Sequence, residues 1–87
     1  MYLILTYDIE QERVAKVLKI CRKYLNWVQN SVLEGEITTA KLEKLKLELQ
    51  KTIEKSKDSV RFYILKDKSL IDLQLLGQEK GLTNIIY

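Results

Sequence analysis

Apolar and polar positions alternate at the start of the chain. In Tyr2-Leu3-Ile4-Leu5-Thr6-Tyr7-Asp8-Ile9, the set Leu3, Leu5, Tyr7 and Ile9 faces one way and Tyr2, Ile4, Thr6 and Asp8 the other. A period of two predicts a strand. From Glu10 or Gln11 the spacing changes. Val14, Val17, Leu18, Cys21, Tyr24 and Leu25 recur three and four apart, which predicts an amphipathic helix ending near Leu25. Arg13, Lys16, Lys19, Arg22 and Lys23 occupy its remaining surface, and Glu10 and Glu12 sit at its start, where the helix dipole favours negative charge.

Trp27-Val28-Gln29-Asn30-Ser31-Val32-Leu33-Glu34 reads as strand, and the segment to Ile37 fits either one bent strand or two. Gly35 is expected to mark a bulge or bend. Thr38 or Thr39 is expected to cap a second helix running to about Lys55, with Leu42, Leu45, Leu49 and Ile53 as its apolar stripe. Lys57-Asp58 reads as a polar turn before a strand from Ser59 to Lys66. Asp67-Lys68 then turns the chain into a fourth run, Leu70 to Leu76, and Thr83–Tyr87 reads as a short fifth strand beyond Gly77 and Gly81. Two helices among antiparallel strands fit a ferredoxin-like α+β sandwich, both helices on one sheet face, with an additional short C-terminal strand. The whole chain, 1–87, reads as a single domain.

Both faces of such a sheet carry apolar groups: Val60, Phe62 and Ile64 oppose Tyr63 and Leu65 on the strand after the second helix. The charged Asp8 belongs on the face away from the helices. An apolar open face calls for a cover, and a second copy of the chain is the simplest one. Such a homodimer would bring two Asp8 carboxylates towards a two-fold axis, and the terminal Ile85-Ile86-Tyr87 run could pair with a partner edge.

Composition narrows the chemistry. Lys and Arg number 15 against 12 Asp and Glu, a net charge of +3, which permits nucleic-acid binding without demanding it. Histidine is absent, so Ser-His triads and most zinc sites are excluded. The single cysteine, Cys21, lies on the apolar stripe and reads as a buried structural thiol. No run approaches the ~20 residues of a membrane span, and with structure expected from Tyr2 no signal peptide is visible, so a cytoplasmic location is expected. Asp8 remains as the carboxylate beside a cationic helix, the pairing that a hard divalent cation and a phosphodiester need. Arg13, nearest the strand end, is the preferred phosphate contact, with Lys16 next along the same helix.

Tyr7-Asp8-Ile9, Arg13 on a basic helix, and the run Tyr24-Leu25-Asn26-Trp27-Val28-Gln29-Asn30-Ser31-Val32-Leu33-Glu34-Gly35-Glu36 together resemble the family of CRISPR-associated protein two. The resemblance spans the chain in length and element order. Its most specific pieces are the Tyr-Asp strand end and the Val-Gln-x-Ser-Val strand. It implies a ferredoxin-like fold and a homodimer with paired strand-end aspartates. By that resemblance Asp8 is the metal-binding and catalytic position, with Mg2+ as the ion, and Arg13 matches a basic position implicated in nucleic-acid contact. It further implies a metal-dependent endonuclease acting on RNA or DNA, and a place in spacer acquisition, where the dimer bridges the CRISPR integrase (CRISPR-associated protein one) and holds duplex DNA. Two positions depart from the pattern and bear on nuclease contacts described for the family: Leu33 stands where many members have Phe, and Trp27 where some have a basic residue. Three functions are consistent with these residues: a bridging scaffold, a magnesium-dependent nuclease, and a nucleic-acid-binding module or toxin-type ribonuclease unconnected with CRISPR.

Overall fold

A computed structural model of the chain describes residues 1–78. The elements are β1 (Tyr2–Asp8), α1 (Gln11–Arg22), β2 (Asn26–Gln29), β3 (Val32–Glu36), α2 (Thr39–Thr52) and β4 (Ser59–Leu65), followed by one 3-10 turn at Lys68–Leu70. The strands form one antiparallel sheet in the order β2-β3-β1-β4. This is the βαββαβ arrangement of a ferredoxin-like α+β fold.

Trp27–Ile37 resolves into two strands. Asn30 turns between them at φ 37°, a left-handed conformation that its short polar side chain tolerates better than most. The expected irregularity at Gly35 lies elsewhere. Gly35 pairs regularly with Leu3, and the register shift falls in β2 between Trp27 and Gln29. Leu25 packs over Gly35, its Cδ2 lying 3.6 Å from where a Cβ would stand, an ordinary contact distance.

Thr38 caps α2 by accepting from the Lys41 amide at 3.2 Å. The helix stops at Thr52 rather than Lys55, because Ile53 adopts an extended conformation and the next amide, of Glu54, donates to Asp58 at 2.8 Å. The run Leu70–Leu76, expected as a strand, is not one. It begins in the 3-10 turn, and residues 71–76 pair with no strand among the described residues. Leu73 and Leu76 there are 74% and 100% exposed. The expected strand Thr83–Tyr87 lies outside the described residues.

Register fixes the faces. Trp27, Leu33, Leu5 and Phe62 stand in one row across all four strands, on the face that the helices cover. Leu3, Leu5, Leu33, Val17, Cys21 and Leu45 are fully buried there. Cys21 is a structural thiol that burial pushes up to about 12. Glu48 ties the two helices together, accepting from Lys23 Nζ and from the Tyr24 hydroxyl. Leu33, a point of departure from the family pattern, is therefore a core residue beneath the helices and touches no surface where a nucleic acid would lie. Trp27 also packs against the core, and its indole N–H donates to the Asn30 carbonyl at 2.9 Å. Leu33→Ala should cost about 3 kcal/mol, as buried leucine truncations do, and Leu33→Phe about 1–3 kcal/mol by overpacking. Urea unfolding checks both. A cost below about 1 kcal/mol for the alanine variant would show that the row closes over the gap.

Candidate metal and nucleic-acid site

Asp8 ends β1, opposite Ser59 of β4. Its parity with Tyr2, Ile4 and Thr6 places it on the face away from the helices, as its charge predicts, and it is exposed. Thr6, Tyr7, Asp8, Ser59 and Arg61 line a concavity of about 270 Å³. Among the described residues Asp8 is the only carboxylate in that lining. Arg61, paired with Thr6, donates from Nη1 to the Tyr63 hydroxyl at 3.3 Å. Tyr7 turns its ring the other way, against the core, and its hydroxyl lies 3.5 Å from the Asn30 carbonyl.

Arg13 is held away from this concavity. Its Nε and Nη2 donate to Asp58 Oδ2 and Oδ1 at 2.6 and 3.0 Å, and its Nη1 to Glu12 at 3.1 Å. The Asp58 side chain has no exposure at all. It also accepts the backbone amides of Glu10 at 2.9 Å and Glu54 at 2.8 Å. One carboxylate thus binds the β1–α1 turn, the first turn of α1 and the end of α2. The forked bond from Arg13, aided by the two amides, holds the Asp58 carboxyl far below the usual carboxylate range against the opposing effect of burial. The Glu10 side chain makes no capping bond, and the Asp58 bonds anchor that end of the helix instead.

Lys16 lies on the helix layer. With Lys19, Lys23 and Lys51 it rims a groove of about 690 Å³ between α1 and α2. Asp8, Arg13 and Lys16 therefore occupy three separate places: the open sheet face, a half-buried ion pair with Asp58 and the interhelical groove.

Comparison with known proteins decides the family. The family profile for CRISPR associated protein Cas2 matches residues 1–71. A Thermotoga maritima protein, CRISPR-associated endoribonuclease Cas2, is 54% identical over 87 residues, all of both chains. A Thermodesulfovibrio yellowstonii protein, CRISPR-associated endoribonuclease Cas2 3, is 58% identical over 85 residues, covering 98% of this chain and 97% of its own. The chain belongs to the Cas2 family. The crystal structure of Streptococcus pyogenes Cas2 superposes with a TM-score of 0.78 at 35% identity, over 88% of this chain and 100% of that one. The Cas2 match leaves a module or toxin unconnected with CRISPR without support.

Within this Cas2 chain, two residues of consequence carried no signal in the sequence. Asp58 read as half of a polar turn, yet its partner Arg13 is 45 residues away. Arg61 drew no reading of its own within the strand from Ser59 to Lys66, and only its register with Thr6 brings it beside Asp8. The donor chemistry at Asp8 suits a hard cation: an exposed oxygen donor with hydroxyl neighbours and no soft ligand. Among the described residues no three Asp, Glu, Cys or His side chains gather into a metal site, and Asp8 is the carboxylate they bring to this concavity. Magnesium accepts that number, since it keeps several waters and takes one or two carboxylates. Among the described residues no helix is long and apolar enough to cross a membrane.

Proposed function

We propose that this chain works in the cytoplasm as a homodimer in CRISPR spacer acquisition. It bridges integrase subunits and holds duplex DNA, and it retains a magnesium-dependent endonuclease activity centred on Asp8. The observation that carries the nuclease reading is the exposed Asp8 carboxylate in a concavity with Arg61. The names of the Thermotoga and Thermodesulfovibrio relatives, both endoribonucleases, support the same chemistry. Dimerisation is supported by the exposed apolar side chains after β4, Leu70, Leu73, Leu75 and Leu76, which a second copy would cover.

The residues divide the work. Asp8 holds the cation through its carboxylate oxygens. Thr6 and Ser59 place hydroxyl groups beside it. Lys16, with Lys19 and Lys51, gives the helix layer a positive surface for the sugar–phosphate backbone. When bound, magnesium supplies Lewis-acid polarisation of the phosphoryl oxygens. With no histidine in the chain and, among the described residues, no second carboxylate in the concavity, Asp8 alone offers little by way of general-base catalysis.

Purified protein is expected to cleave single-stranded RNA or duplex DNA in magnesium, to stop on chelation and to recover with excess magnesium. Light scattering is expected to give the mass of two chains. Cleavage that survives chelation would remove the metal-dependent reading, and a one-chain mass at working concentration would remove the paired Asp8 site.

A further inference from the structure

We infer that Arg61 is the phosphate-binding residue of the Asp8 concavity, gripping the scissile phosphodiester of a nucleic acid on the open sheet face. This rests on the nucleic-acid reading above and assigns a residue that the sequence did not single out.

Three observations carry it. Arg61 pairs with Thr6 while Asp8 pairs with Ser59, so the two charged side chains rise from adjacent strands as diagonal neighbours on one face. That places their Cα atoms about 7–8 Å apart. They line one concavity but form no ion pair with each other among the described residues. Arg61 is therefore not there to neutralise Asp8, and the separation leaves room for an anionic group between them. Finally, the guanidinium is available. Among the described residues its hydrogen bond is to one exposed hydroxyl, that of Tyr63, whereas Arg13 spends Nε, Nη1 and Nη2 on two carboxylates.

The chemistry requires such a residue. A lone carboxylate repels a phosphodiester, and the surrounding Thr6 and Ser59 hydroxyls carry no charge to offset it. A guanidinium presents paired N–H donors that match two phosphate oxygens. Seated on Arg61, a phosphodiester lies beside the Asp8 carboxylate, where the cation belongs. Arg13 then supports the site from behind, as the partner of Asp58, and its guanidinium stays off the substrate.

The test is binding of a short single-stranded RNA by wild type, Arg61→Gln and Arg61→Lys, in chelator so that nothing is cleaved, across a range of salt. Arg61→Gln is expected to weaken binding about tenfold, which is about 1.4 kcal/mol. It should also lower the salt slope by about 0.7, the value of one single-strand phosphate contact. Arg61→Lys is expected to keep the slope and recover part of the affinity. Arg13→Gln, read below its own lowered melting temperature, is expected to keep the slope, since its guanidinium contacts Asp58. Light scattering on each variant is expected to give the wild-type mass. An unchanged slope in Arg61→Gln overturns the assignment. So does a loss of affinity that tracks a loss of dimer mass, which would make Arg61 an interface residue. If wild type proves unable to cleave in magnesium but Arg61→Gln still loses the contact, the phosphate assignment stands and the nuclease reading alone falls.

Discussion

Asp8→Asn is expected to remove magnesium-dependent cleavage while leaving fold, dimer and spacer acquisition intact. The substitution keeps the shape of the side chain and deletes its charge. Asp8 is exposed at a strand end, with no hydrogen bond from its side chain among the described residues, so the fold loses nothing measurable. A hard cation bound through one carboxylate per chain loses its main anchor. Disturbing even an outer-shell partner of a metal ligand costs about 10–100-fold, so loss of the ligand itself should exceed about 100-fold in cleavage rate. In the function proposed above, bridging would rest on the dimer and on backbone contacts along the basic helices, neither of which needs the Asp8 charge. Cleavage assays and an acquisition assay with the cognate integrase, run on the same two proteins, separate the activities. Wild-type cleavage rates in Asp8→Asn would place the catalytic centre elsewhere. Loss of acquisition together with cleavage would make hydrolysis part of the biological role.

The fold was legible where the pattern is local. Strict alternation set the two faces of β1, and the three- and four-residue spacing of Val17, Cys21 and Leu25 set the buried side of α1. Errors came where a segment's structure depends on something outside it. Leu70–Leu76 alternates like a strand, but a strand needs a neighbour, and within one chain this run has none among the described residues. Gly35 looked like a bulge because a glycine in a strand weakens it. In the fold it pairs regularly with Leu3 beneath Leu25. The site divides the same way. Asp8 was visible as a charge ending an apolar strand. Arg61 and Asp58 were not, because the meaning of each is a pairing across the fold: one through β1–β4 register, the other through an ion pair between the start of α1 and the residue before β4. Arg13 was visible as a cation near Asp8, but charge and spacing give no sign that a buried carboxylate already holds it.

That carboxylate is the site of the largest expected loss of stability. Asp58→Ala should lower the melting temperature by more than about 10 °C, because it removes the fully buried carboxylate of a half-buried ion pair together with the acceptor of two backbone amides. Three structural elements lose their common acceptor at once. The Glu10 and Glu54 amides lose their bonds to it, and Arg13 keeps only the exposed Glu12. Asp58→Asn retains the shape and one acceptor oxygen, so it should fall between wild type and alanine. The same residue sets a pH dependence. Its folded pKa lies below that of the unfolded chain, so its contribution is fully present above the ordinary carboxylate value of about 3.9. It drains away as pH falls from there towards the lower folded value. Glu48, lowered by its bond from Lys23 and then by that from Tyr24, adds a smaller contribution of the same sign. Wild type should therefore lose stability progressively below about pH 4, and Asp58→Asn should show a much flatter profile over that range. Thermal unfolding of both proteins between neutral and strongly acid pH measures this directly. Parallel profiles would mean that the acid sensitivity of the fold lies in other carboxylates. A small effect of Asp58→Ala at neutral pH would mean that the start of α1 is held by its packing on the sheet and not by this clamp.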